Sequence, residues 1–134
     1  MIAAIHAGWK GAFKGIIKRT LNFMIKKGCD PKNVTAVIGP CISVKNYEVK
    51  KDFIKKLIKK DGKNKKFFKK IQNKDFFNLK KYIYSQLKTL NIKKIDIINK
   101  DTFNPKNSFF SARRSISRNE NDYGRNISVI MINS

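Results

Sequence analysis

The sequence predicts an α/β fold: a mixed sheet with helices packed against it, in a single domain. Three observations predict it. Short unbroken apolar runs at 2–6, 34–38, 95–98 and 127–132 have the length of buried strands. Longer stretches between them repeat apolar residues at the helical period. Clusters of Gly, Pro and Asn separate the two kinds of segment.

Residues 2–6 read as a buried strand ending at the only histidine, His6. The chain then turns through Gly8 and Gly11 into a helix predicted over 9–27. Ala12, Phe13, Ile16, Ile17, Thr20, Leu21 and Met24 form its apolar stripe, and Lys10, Lys14, Lys18 and Asn22 its wet face. Gly28 suits a C-cap, and Pro31 blocks continuation. Residues 34–38 are a second strand, closed by Gly39-Pro40. Strand, helix, strand in this order predicts a βαβ unit with functional loops at the strand ends. Tyr47, Val49, Phe53, Ile54, Leu57 and Ile58 mark a second helix that stops near Asp61-Gly62. Residues 63–74 are basic with Phe67, Phe68 and Ile71 interleaved. A solvated connection tethered by its two aromatics is preferred over an RNA-binding loop. Phe76, Leu79, Ile83, Leu87 and Leu90 form a third helical stripe, and 95–98 a further strand. Residues 101–108 form turns, 109–114 are expected to be extended, 119–124 to be a loop, and 127–132 to be a final buried strand.

A chain of 134 residues is one domain, able to bury roughly two thirds of its unfolded surface. Its net charge of +22 is the usual footprint of a polyanion partner. Arg, however, occurs only at 19, 113, 114, 118 and 125, so lysine supplies nearly all the charge. Lys, Asn, Ile and Phe share A/T-rich codons, and nucleic-acid surfaces favour the bidentate arginine fork. A solvated lysine face therefore ranks above a basic nucleic-acid-binding module. Cys29 and Cys41 form no CxxC unit or disulfide framework. The opening apolar run is too short for a secretory signal, and no stretch approaches ~18 uninterrupted apolar residues. The expectation is a reduced, cytoplasmic protein.

By pattern alone, the turn at 6–11 puts a helix N-terminus beside a polar side chain at a strand end, which suits an anion. Its glycines fit neither the dinucleotide fingerprint nor the P-loop. The stretch His6-Ala-Gly-Trp-Lys-Gly11 resembles the His-Ala-Gly-Trp-Arg-Gly motif of the laccase-domain family, known as polyphenol oxidases or zinc-dependent purine nucleoside phosphorylases. Ile38-Gly-Pro-Cys-Ile42, followed by Tyr47-Glu-Val49, is similar to that family's Gly-Pro-x-Ile segment with its trailing aromatic-Glu-Val. Phe109-Phe-Ser-Ala-Arg-Arg114 and Gly124-Arg125 resemble its Phe-Phe-Ser-Tyr-Arg-Arg and Gly-Arg. Lys10 and Ala112 replace the usual Arg and Tyr, Asp101-Thr102 stands where many members have Cys-Thr, and 115–123 is a longer link than usual. The family's other zinc ligands, a His and a Cys, lie in upstream segments. The resemblance thus implies that 1–134 is roughly the C-terminal half of a family fold, lacking its N-terminal part, with a missing half or a partner chain to supply the rest.

The resemblance implies phosphorolysis of adenosine, inosine and S-methyl-5'-thioadenosine, with adenosine deamination as a side activity. A cell-wall precursor amidase role is the alternative within the family. Phosphorolysis requires cations that hold phosphate and steady developing charge, and arginine suits this through its planar fork. Arg113 and Arg114 are the candidate catalytic residues. Adjacent on a strand they would face opposite sides, so at most one would enter a given pocket. Gly8, Lys10, Gly39 and Arg125 are candidates for holding substrate or phosphate. His6 is the candidate metal ligand, one of three for a zinc whose bound water would have a pKa near 7. Copper oxidase chemistry has less support, since a multicopper site takes many histidines. A Ser111, His6, Asp101 triad has no spacing in its favour. The chain alone is expected to be marginally stable and to bind zinc poorly.

Overall fold

A computed structural model describes residues 1–133. The α/β class is as expected, but the strands divide between two small sheets. β1 (Thr35–Ile38) and β5 (Lys94–Ile97) pair in parallel, Val37 opposite Asp96 and Ile38 opposite Ile97. β2 (Glu48–Val49), β3 (Phe68–Ile71) and β4 (Lys74–Phe77) form an antiparallel sheet in the order β2-β4-β3. The helices are α1 (Trp9–Phe13), α2 (Ile16–Lys26), α3 (Lys51–Lys60), α4 (Leu79–Thr89) and α5 (Ala112–Ser117). Among the described residues no helix is long and apolar enough to cross a membrane.

The core joins α1, α2, α3, α4 and the antiparallel sheet through Ala12, Ile17, Tyr47, Leu57, Phe67, Phe77 and Tyr82. Its centre is a set of edge-on and tilted rings. Phe77 stands 5.1 Å from Phe53, 5.3 Å from Phe68, 5.5 Å from Tyr82 and 5.8 Å from Tyr47, between ring centroids. Such pairs add about 0.5–1.5 kcal/mol each beyond the area they bury.

Several expectations are corrected. The single helix over 9–27 is two, because Gly15 takes φ +82 and breaks the hydrogen-bond ladder between α1 and α2. The second helix starts at Lys51, since Glu48 and Val49 are taken by strand pairing with Phe76 and Asp75. Phe76 accordingly lies in β4, and α4 begins after Asn78, whose side chain accepts from the Lys81 N–H at 2.9 Å. The basic stretch 63–74 is neither a loose connection nor an open RNA-binding loop. Phe67 is buried at 3 % exposure and Phe68 packs against the core, so neither ring is free to stack a base. Gln72 and Asn73, both with positive φ, close β3 onto β4 in a two-residue turn.

Two expected strands are absent. Residues 2–6 and 127–132 carry the right apolar runs but lie outside both sheets, and Ile127 and Val129 are 87 % and 76 % exposed. A strand is defined by a neighbour that completes its hydrogen bonds, and neither segment has one among the described residues. The predicted βαβ unit from 2–6 through 34–38 therefore does not form. The parallel crossover runs instead from β1 to β5, with α3, the β3–β4 hairpin and α4 between them. Residues 109–114 are also not a continuous extended segment. The Ser111 hydroxyl accepts from the Arg114 N–H at 3.3 Å and caps α5.

Candidate functional site

A groove of about 290 Å³ opens between α1, β2, the start of α3 and α5. It is lined by Trp9, Tyr47, Glu48, Val49, Lys50, Phe53 and Arg113. The volume is at the small end for ligand pockets, about 300–1,000 Å³. Its aromatic wall is anchored in the core. Trp9 meets Phe53 edge-on at 4.8 Å, and Phe53 and Tyr47 both rest on Phe77. Rigid rings beside fixed cations suit a flat aromatic ligand that carries negative charge.

Arg113 supplies the oriented cation. α5 projects it toward β2, where its guanidinium carbon lies 5.3 Å from the Tyr47 ring centroid and Nη1 donates to the Glu48 carbonyl at 3.1 Å. That single backbone bond leaves further donors of the fork for a ligand. The Lys74 ammonium pairs with the Glu48 carboxylate at 3.1 Å, which offsets the one acidic side chain of the lining. Burial pushes the Tyr47 hydroxyl pKa up, and Arg113 nearby opposes part of that shift. Tyr47 therefore stays a neutral donor at physiological pH.

The neighbouring arginine does something else. Arg114 Nη1 donates to the Thr102 and Phe103 carbonyls at 2.9 and 3.0 Å, and Nη2 to the Phe109 carbonyl at 2.6 Å. One side chain thus pins the 102–109 loop to α5. The two arginines diverge as expected, but because consecutive helical residues point about 100° apart rather than because a strand alternates. This placement makes Arg114 a scaffold for the loop and corrects its expected assignment as a second groove residue.

The other sequence candidates are scattered. Gly8 caps α1, with a Cβ position only 3.0 Å from His6 Nε2, so the imidazole folds back over it. His6 is exposed and does not line the groove. Lys10 is exposed, its ammonium 5.8 Å from the Trp9 ring centroid, so the 6–11 motif meets the groove through Trp9. Gly39 follows β1 outside the groove. Arg125 stacks on Tyr123 at 4.0 Å and lies near Asp122, again outside the groove. Tyr47, Lys50 and Phe53 were missed as site residues. The signal was available for Tyr47, in the aromatic-Glu-Val segment, whereas Lys50 and Phe53 read only as helix residues. Among the described residues no group of three His, Cys, Asp or Glu stands where it could hold a metal ion. With one His in the sequence, this stretch by itself does not fit a zinc or multicopper centre.

Asp101 ties two loops together behind the site. Its carboxylate accepts from Ser43 N–H at 3.1 Å, Phe103 N–H at 2.9 Å and the Asn46 amide at 2.7 Å. Partial burial alone would raise its pKa, but the donors from Ser43, Phe103 and Asn46 outweigh it and hold the carboxyl below its ordinary value. A depressed folded pKa means the stabilisation is fully present above the unfolded value, about 3.9, and is lost as pH falls through the folded value. Asp101→Asn is expected to lower stability near neutral pH, with the deficit shrinking toward about pH 2. Urea midpoints of both proteins across that range check it. A deficit independent of pH would show that the carboxylate charge is not what holds the loops. Nearby, burial pushes the Cys41 thiol up, with Lys80 opposing and Asp101 adding to the shift, which makes it a poor nucleophile.

The fold and groove define an α/β chain that presents one oriented guanidinium beside an aromatic wall. Comparison with known proteins names the family: the chain belongs to the multi-copper polyphenol oxidoreductase laccase family, whose model matches residues 1–133. It is 37 % identical over 129 residues to a purine nucleoside phosphorylase of Rickettsia conorii, covering 95 % of this chain and 52 % of that protein. Proteins of the same name match from Rickettsia prowazekii, 37 % identical over 117 residues (86 % of this chain, 48 % of the relative), and Haemophilus influenzae, 35 % over 132 residues (96 % and 51 %). The chain thus spans about half the length of these curated relatives.

Proposed function

We propose that this chain is part of a purine nucleoside phosphorylase and carries a base- and phosphate-facing groove of that enzyme. The observation that carries the reading is Arg113, stacked on Tyr47 with donors to spare, beside the Trp9–Phe53 wall. The relatives' names support the same activity.

In phosphorolysis a phosphate oxygen forms a bond to the anomeric sugar carbon while the bond from that carbon to the purine nitrogen breaks. The base leaves with the electron pair and takes up a proton. Arg113 and Lys50 attract the dianion and orient its oxygens, and the aromatic wall holds the flat base. Positioning and charge stabilisation are the contributions asked of these residues. Adenosine, inosine and S-methyl-5'-thioadenosine are the proposed substrates, with adenosine deamination as a side activity, in the cytoplasm. In a zinc-containing form of the enzyme His6 contributes one imidazole, and the remaining ligands come from outside this stretch.

Trp9 is the only tryptophan and lines the groove, so it reports occupancy directly. Inosine or adenosine is expected to change its emission saturably, more strongly with phosphate present. Arg113→Ala is expected to weaken the phosphate-dependent part about tenfold, the loss of roughly one charge-assisted pair (~1.4 kcal/mol). Arg113→Lys restores charge without the fork and recovers only part. Trp9 emission indifferent to millimolar nucleoside and phosphate would sink the groove assignment. Phosphate-dependent release of hypoxanthine from inosine, measured once the remaining half is supplied, tests the activity itself.

A further inference from the structure

The β1–β5 pair is a parallel sheet of two strands, which is an unusual object. Parallel sheets are normally covered on both faces, and a two-stranded sheet has little independent stability. Here one face is covered: Ile38 is buried, Ile95 packs on the core, and α4 lies against β1. The opposite face is open. Val37 stands on it beside its register partner Asp96, and Ile98, two residues on from Asp96, continues it. Val37 is 59 % exposed and Ile98 45 %, yet both extend the parallel ladder, the Ile98 N–H donating to the Ile38 carbonyl at 2.9 Å. Each strand also has one free edge. Two further apolar segments, 2–6 and 127–132, have strand sequences and no strand partner among the described residues.

We propose that the open face and free edges of the β1–β5 sheet are the seat of the half of the family fold that this chain does not match, with 2–6 and 127–132 ordering as strands when it docks. The relatives carry about as much chain again as the part aligned here, which is the length available to cover this face. A second copy of this chain is a poor occupant, because two molecules of net charge +22 repel one another. The inference rests on the family membership and the sheet, and not on the phosphorolysis reading.

The probe is the portion of the Rickettsia conorii relative outside the aligned region, mixed with the full chain as a separate polypeptide. The expected result is a one-to-one complex by light scattering. New amide protection should appear at 35–38 and 94–98, and at 2–6 and 127–132. Val37→Lys and Ile98→Lys should each weaken the complex at least about tenfold, since each would bury an unpaired charge. Both sites are exposed in the free chain, so circular dichroism should show the variants folded. Phe23→Lys, at an exposed site on α2, should leave the complex unchanged. No complex, a homodimer formed through this face, or a complex that ignores Val37→Lys and protects other segments would each overturn the proposal. Nucleoside turnover plays no part in the readout, so failure here is separable from failure of the enzymatic reading.

Discussion

Phe77→Ala is expected to remove about 3–5 kcal/mol of stability, enough to leave much of the chain unfolded at body temperature. Phe77 has no exposed surface, and its ring touches four others, from β2, β3, α3 and α4 or their flanks. Truncation to Ala deletes the one group that all of them share and leaves a cavity between elements held by little else. The reserve against this loss is small. A domain of this size holds about 5–15 kcal/mol in total, and a net charge of +22 repels itself in the compact state. Phe77→Leu keeps part of the fill and should cost less than half as much. Urea unfolding followed by far-ultraviolet circular dichroism measures both. A Phe77→Ala loss below about 1 kcal/mol would mean that the ring cluster is not the core of the fold.

Arg114→Met is the second large effect, with an expected loss of about 2–4 kcal/mol. Its guanidinium satisfies three carbonyls, of Thr102, Phe103 and Phe109, which no methionine atom can replace. Part of the site is open to water, which keeps the figure below the sum of three charge-assisted bonds. Lysine cannot substitute fully, because a single ammonium does not span the positions that the planar fork reaches. The functional consequence passes through α5. Releasing the 102–109 loop frees the helix that aims Arg113 at the groove, so the phosphate-dependent Trp9 response should fall in Arg114→Met although Arg113 is intact. Denaturant midpoints and Trp9 titrations on the same sample test both parts. Unchanged stability with a lost response would instead place Arg114 in contact with the ligand.

The candidate site was partly legible. Trp9 sits in the 6–11 motif, Tyr47 in the aromatic-Glu-Val segment and Arg113 in the arginine pair, three places far apart in the chain that the fold brings to one groove. Phe53 was hidden because a phenylalanine on a helical stripe looks like any core residue. Lys50 was hidden among many lysines. His6, Lys10, Gly39 and Arg125 stood out by type or motif and lie outside the groove lining.

What the sequence determined by itself was the α/β class, the positions of α2, α3, α4, β1 and β5 to within a few residues, and the family. These follow from local periodicity, from caps such as Asn78, and from motifs contiguous in the chain. Only the tertiary structure decided which apolar runs became strands. Residues 35–38 and 94–97 found each other, while the equally apolar 2–6 and 127–132 did not. It also decided that the basic stretch 63–74 folds inward as a 3₁₀ turn and hairpin, and that one arginine of an adjacent pair faces the groove while the other holds a loop. The reason is the same in each case. A helix satisfies its backbone within its own segment, whereas a strand, a buried aromatic and an arginine fork are completed by groups distant in the chain.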